Sequence, residues 1–353
     1  MMKEIHVTPE TLQKRNRRIV IAMGAVLLLS ILFSFTLGRY PVPFRELCGI
    51  LLNRTAAAFG ISTEVVWTSQ MQAAVWNIRL PRVILSVLVG ASLAAAGASY
   101  QGVFQNPMAS PDILGASAGA GFGAALAILW EFPGFLITVS AFSVSLLSVA
   151  LVFLISRRTK GDRVMGLVLA GIMISSLFQS GTSFIKLVAD PNNKLPQITY
   201  WLMGSLSGAQ WKHVQLAILP MALGQGLLLL LRWRINVITM GDEEARAMGV
   251  NAHKVRLCVI LSSTLITAAA VSVSGMIGWV GLVIPHMMRR IVGSDYRYLM
   301  PASILGGGIF LLVVDNVSRN AFTSGIPIGI LTAFIGAPFF LWLITGREES
   351  HES

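Results

Sequence analysis

Ten apolar runs alternate with short polar connections along 353 residues, and a chain built this way has few folds open to it. The runs extend from Ile19 to Gly38, Val83 to Phe104, Ile113 to Trp130, Gly134 to Ser156, Val164 to Leu187, Val214 to Leu231, Leu257 to Val273, Met276 to Val292, Leu299 to Val314 and Pro327 to Thr345. A helix of about 20 apolar residues crosses a bilayer, and lipid leaves no partner for backbone groups outside helices and closed barrels. The pattern therefore predicts an all-α, polytopic membrane protein with ten transmembrane helices. The connections are too short for a second domain. Residues 1–18 read as an N-terminal tail, 19–346 as one transmembrane domain and 347–353 as a C-terminal tail. Lys14, Arg15, Arg17 and Arg18 precede the first run as a signal peptide's basic region would, but no A-x-A site follows before Arg39, Tyr40 and Pro41. That run is expected to be a retained span.

With 54% hydrophobic and 12% charged residues, the composition excludes an ordinary water-soluble enzyme. A net charge of +11 would suggest nucleic acid in a soluble protein, but here the basic residues sit between apolar runs. Membrane lipid is the expected surroundings, with no nucleic-acid partner. Ten spans put both termini on one side. Placing them inside puts eighteen of the 27 basic residues in the cytoplasm, so both termini are expected on the cytoplasmic face of the cell (inner) membrane. Arg79, Arg82 and Arg319 are left outside as exceptions.

Small residues recur four apart at Gly90, Ala94, Ala98 and Gly102 and at Gly115, Gly119 and Gly123, the pattern of close helix packing in lipid. Pro107, Pro111, Pro285, Pro327 and Pro338 lie at or inside apolar runs and predict broken helices. Pro107, Pro285 and Pro338 are the candidates for kinks or gates.

The sequence lacks the G-x-x-x-x-G-K-[ST] phosphate loop, H-E-x-x-H and the nucleophile elbow, so no catalytic residue and no cofactor are expected. Any ATP energy would come from a partner. Cys48 and Cys258 lack metal-ligand spacing, and His286 alone makes no metal cage. His286 and Asp315 are the main ionisable residues near spans. So few charges weigh against an ion-coupled secondary transporter, which stands as the alternative reading.

Residues 240–250, Met-Gly-Asp-Glu-Glu-Ala-Arg-Ala-Met-Gly-Val, form a polar stretch after the sixth run. Acidic residues at its start, Arg246 within it and Gly249 at its end predict a short helix outside the bilayer. By composition alone a solvated surface helix explains it equally well.

Other stretches are distinctive in combination: Arg79-Leu80-Pro81-Arg82; residues 105–115, Gln-Asn-Pro-Met-Ala-Ser-Pro-Asp-Ile-Leu-Gly; Tyr200-Trp201-Leu202-Met203-Gly204-Ser205; residues 281–286, Gly-Leu-Val-Ile-Pro-His, with Arg289, Gly293, Asp295 and Arg297; Pro327-Ile328-Gly329; and Gly336-Ala337-Pro338. In this order they resemble the iron-siderophore, haem and cobalamin permeases of the FecCD type, type II ABC importers. The resemblance implies a ten-helix type II permease fold and a transport subunit that is no enzyme. Its partners would be a second permease chain, forming a homodimer, two ABC ATPase subunits and a periplasmic or lipid-anchored substrate-binding protein. The cargo would be a metal chelate, a ferric siderophore first, else haem or cobalamin. The resemblance places ATPase coupling on Gly241, Asp242, Glu243, Glu244, Ala245, Arg246, Ala247, Met248 and Gly249. It places binding-protein docking on Arg79, Arg82 and Arg319, whose guanidinium groups suit carboxylates. Snorkelling at helix ends is the plainer account of these arginines, and Asp315 stands four residues before Arg319 as a possible partner on one helical face.

Overall fold

A computed structural model describes residues 9–38, 40, 42–58, 67–159, 163–321 and 325–345. Fourteen α-helices are described: α1 (Pro9–Thr36), α2 (Phe44–Ala58), α3 (Ser69–Ala73), α4 (Leu80–Val103), α5 (Ala116–Leu129), α6 (Gly134–Ser156), α7 (Arg163–Val188), α8 (Lys194–Leu202), α9 (Trp211–Ile238), α10 (Asp242–Ala247), α11 (Ala252–Ser274), α12 (Val280–Val292), α13 (Tyr296–Ala321) and α14 (Ile328–Thr345). All ten predicted spans fall on helices, namely α1, α4, α5, α6, α7, α9, α11, α12, α13 and α14.

Seven segments are long and apolar enough to cross a bilayer, and α5, α12 and α14 are shorter. Local chemistry cuts two of these short. Pro111 opens a 3-10 turn, Pro111–Leu114, and Gly115 takes φ +78° before α5 starts, so this helix begins later than its apolar run. Residues 275–279 are likewise unwound ahead of α12, with Gly275 at φ +69° and Trp279 at φ +70°. The broken backbone lies against protein. Ser205 N donates to Ser274 O at 2.7 Å, and Cβ atoms on Gly204, Gly275 and Gly329 would meet Met276 O at 2.5 Å, Trp201 O at 2.3 Å and Met203 O at 2.3 Å, so three glycines far apart in sequence bring backbones together here.

Helix α4 is the hub, packed against α13, α12, α11 and α9. Its crossings depend on missing side chains. A Cβ on Gly90 would lie 2.1 Å from Gly307 O, and one on Gly97 would lie 1.8 Å from Gly281 O. Gly119 and Gly123 similarly admit α6, at Ser148 Cβ and Ser140 O. The small-residue pattern is thus spent on packing.

Three elements were invisible as apolar runs. Helix α2 buries Leu47 and Ile50 beside Trp67, and α8 precedes the start of α9. Helix α4 extends backwards through a π-helical turn, Ala74–Arg79, into α3, whose N-cap Thr68 accepts from Met71 N at 3.2 Å. Helix α1 begins at Pro9, ten residues ahead of the apolar run, and its Asn16 Nδ2 donates to Val292 O at 2.7 Å. That contact joins the start of α1 to the end of α12. Arg79 Nη1 donates to Phe35 O at 2.5 Å, joining the end of α1 to the start of α4. The bundle therefore has two distinct ends, one carrying α10 and the other the three exceptional arginines.

Candidate functional site

At the first end, Gly241 at φ +131° turns the chain out of α9 and lets Asp242 begin α10 at once. Ala245 N donates to Gly241 O at 3.0 Å. At the other terminus Val250 N donates to Ala245 O at 2.8 Å and Gly249 N to Arg246 O at 3.0 Å, a Schellman motif completed by Gly249 at φ +75°. Ala245 is buried with Ile235, Ile238, Val250 and Val255, so α10 stands on the bundle by a single apolar foot. Asp242, Glu243, Glu244, Arg246, Ala247, Met248 and Gly249 are exposed. The predicted short helix is present, with seven exposed positions and a buried apolar seat beneath it.

One of its exposed carboxylates is already paired. Arg256 on α11 pairs with Asp242 at 2.9 Å, and this hydrogen bond, aided by the charges of Arg256 and Arg246, holds the Asp242 carboxyl below the usual carboxylate range. Nothing in the spacing of the two residues announced the pair. It fastens α10 to α11 as well as to α9.

A polar network lies beneath α10 at the same end. Asn236 Nδ2 donates to Asp295 Oδ1 at 2.6 Å while Tyr296 N donates to Asn236 Oδ1 at 2.7 Å, tying α9 to the start of α13. Arg289 donates to Gln101 Oε1 at 2.7 Å and to Tyr296 Oη at 3.1 Å. These partners give Arg289 and Asp295, recognised above only as motif letters, a structural task.

The three prolines part company. Pro107 lies in the exposed loop after α4, where Gln105 at φ +48° has already ended the helix, so Pro107 kinks no helix. Pro285 is buried inside α12 and Pro338 is exposed within α14. Lacking an N–H, Pro285 cannot satisfy Gly281 O one turn earlier. Gln101 Nε2 takes that carbonyl at 3.3 Å, so the break in α12 is closed by a side chain of α4.

At the opposite end, Arg79, Arg82 and Arg319 line one pocket of 340 Å³, whose lining includes no acidic side chain. Arg79 is 5% exposed and donates to the carbonyls of Phe35 and Tyr40. Arg82 grips Asp315, and Arg319 Nη2 donates to Ser34 O at 2.7 Å and to Asn316 Oδ1. The expected Asp315–Arg319 pair is therefore loose, at 4.0 Å, because Arg82 approaches the same carboxylate to 2.9 Å. The π-helical turn ahead of Arg79 frees Trp76 O to accept from Trp211 Nε1 at 2.9 Å, which ties that turn to the start of α9.

Among the described residues no group of three or more His, Cys, Asp or Glu side chains could hold a metal ion. The profile of the FecCD transport family matches residues 26–346. The molybdate import system permease protein MolB of Haemophilus influenzae is 36% identical over 323 residues, covering 92% of this chain and 94% of that protein. The hemin transport system permease protein HmuU of Yersinia pestis is 39% identical over 306 residues, covering 83% and 90%. A solved ABC transporter assigned to the metal-chelate type, in an inward-facing conformation, superposes with a TM-score of 0.82 at 34% identity, covering 94% of this chain and 99% of that one. With seven helices among the described residues long and apolar enough to cross a bilayer, and matches along nearly its whole length, the chain is a multi-pass membrane protein that belongs to the FecCD transport family.

Proposed function

We propose that this chain is the pore-forming subunit of a binding-protein-dependent ABC importer, moving a metal chelate into the cytoplasm with ATP hydrolysed on separate subunits. The observation that carries this reading is α10, a short helix with seven exposed positions from Asp242 to Gly249 on a rigid base at one end of the bundle. An ATPase subunit engaging Gly241 to Gly249 would move a body already fastened to α9 and α11, which pack on the hub helix α4. A floppy loop would absorb that motion instead.

At the far end, Arg79, Arg82 and Arg319 line one pocket, with Arg79 held by backbone carbonyls and only the carboxylate of Asp315 paired against Arg82 and Arg319 among the described residues, so positive charge is in excess there. This excess supports docking of an acidic surface of the substrate-binding protein through Arg79, Arg82 and Arg319. In this reading residues 19–346 form one permease domain that pairs with a second copy, and both termini face the cytoplasm of the cell membrane. The cargo is a ferric siderophore first, with haem and cobalamin next.

Proteoliposomes holding the chain with its co-purified partners test the reading. ATP-dependent uptake of a ferric siderophore, haem or cobalamin is expected, and a glycine-serine linker in place of residues 241–249 abolishes it. Molybdate serves as a further cargo, since one relative is a molybdate permease. Purification free of any ATPase, with uptake driven by an ion gradient, would overturn the proposal in favour of a secondary transporter.

A further inference from the structure

A groove of 620 Å³ lies where the end of α6, the start of α7 and the start of α11 meet. Its floor is apolar: Phe153, Leu167, Leu257 and Ile260. Its rim carries Arg157, Arg256 and His253. The floor opens sideways. Leu257 is 37% exposed, and Leu261, one turn further along the same face of α11, is 52% exposed. Arg157 is exposed and has no ion pair among the described residues, whereas Arg256 already shares its guanidinium with Asp242. Among the described residues, two arginines therefore line the groove against one carboxylate on its neighbour.

A cationic rim above an apolar floor fits one occupant well. A soluble anion would use the rim and leave the floor wet, and a zwitterionic lipid would use the floor while offering the arginines no net charge. We propose that the groove binds an anionic phospholipid, its phosphate on Arg157 and Arg256 and an acyl chain along Phe153, Leu257 and Leu261. The head group then sits one side chain away from the coupling helix, because Arg256 also holds Asp242.

Native mass spectrometry of the detergent-purified full chain, titrated separately with phosphatidylglycerol, phosphatidylcholine and glycerol 3-phosphate, tests this without any transport assay. The first phosphatidylglycerol adduct should bind about fivefold more weakly to Arg157→Gln, with phosphatidylcholine binding unchanged. Arg234→Gln removes an exposed charge near the same end of the bundle but outside the groove, and should leave phosphatidylglycerol binding as it was. Equal weakening in both variants would mean a diffuse positive surface and overturn the site. Equal affinity for the two lipids would overturn it as well, and glycerol 3-phosphate binding as tightly as phosphatidylglycerol would replace the lipid with a free phosphate ester.

Discussion

Arg82 on α4 holds Asp315 on α13 through Nε at 2.9 and 3.1 Å and Nη2 at 2.9 Å, across 233 positions of sequence. Asp315 is fully buried, and the other cation paired with it among the described residues, Arg319, stands off at 4.0 Å. Arg82→Gln therefore strands a buried carboxylate, a loss of about 3 kcal/mol or more. Thermal melting in detergent should fall sharply for Arg82→Gln and recover in Arg82→Gln with Asp315→Asn. A single variant that melts like the parent chain would mean that the pair contributes nothing.

The crossing of α4 and α13 sets a second expectation. A methyl group on Gly90 would sit 2.1 Å from Gly307 O and 2.7 Å from Leu311 Cβ, neither of which can swing aside. Gly90→Ala should lower the melting temperature by several degrees or prevent folding. Gly24→Ala, on the lipid-facing α1 with nothing within 4 Å of the new Cβ, should be neutral. The contrast is decisive because the two substitutions are chemically identical.

Gln101 does two jobs in one buried place, accepting from Arg289 and donating to the carbonyl that Pro285 leaves unpaired. Gln101→Leu removes both contacts and should cost about 1–3 kcal/mol, the penalty for burying polar groups without partners. Pairing it with Pro285→Ala restores a donor to Gly281 O and should recover part of the loss. No recovery in the double variant would show that the carbonyl finds another partner.

These contacts also explain what the sequence could and could not reveal. The ten spans were legible because lipid demands long apolar helices, and Pro111 foretold where one of them breaks, whereas the unwinding at Gly275 carried no such mark. Helices α2 and α8 are 15 and 9 residues long and carry no span-length signal. Glycine and charge made α10 readable, since a helix of six residues needs such marks at both ends. Its tie to Arg256 was hidden. So was the choice of Arg82 over Arg319 as partner of Asp315, because pairings between distant residues are set by helix crossings and not by spacing along the chain.

The tie between Asp242 and Arg256 separates coupling from stability. Asp242 is largely exposed, so screening limits the pair to under about 1 kcal/mol of stability. Its carboxyl is held below the usual range chiefly by the Arg256 hydrogen bond, so the charged form persists in the folded chain to lower pH than in the unfolded one. The contribution is present above the unfolded value of about 3.9 and is lost as pH falls through the lower folded value. Between about pH 5 and 8 the pair is fully charged, and its effect should be flat with pH. Arg256→Gln should therefore barely move the melting temperature while lowering the cargo carried per ATP hydrolysed, by the same factor at either end of that range. Exchanging the charges, Asp242→Arg with Arg256→Asp, should restore part of the ratio. A large drop in melting temperature with an unchanged ratio would make the pair a structural brace with no part in transmission.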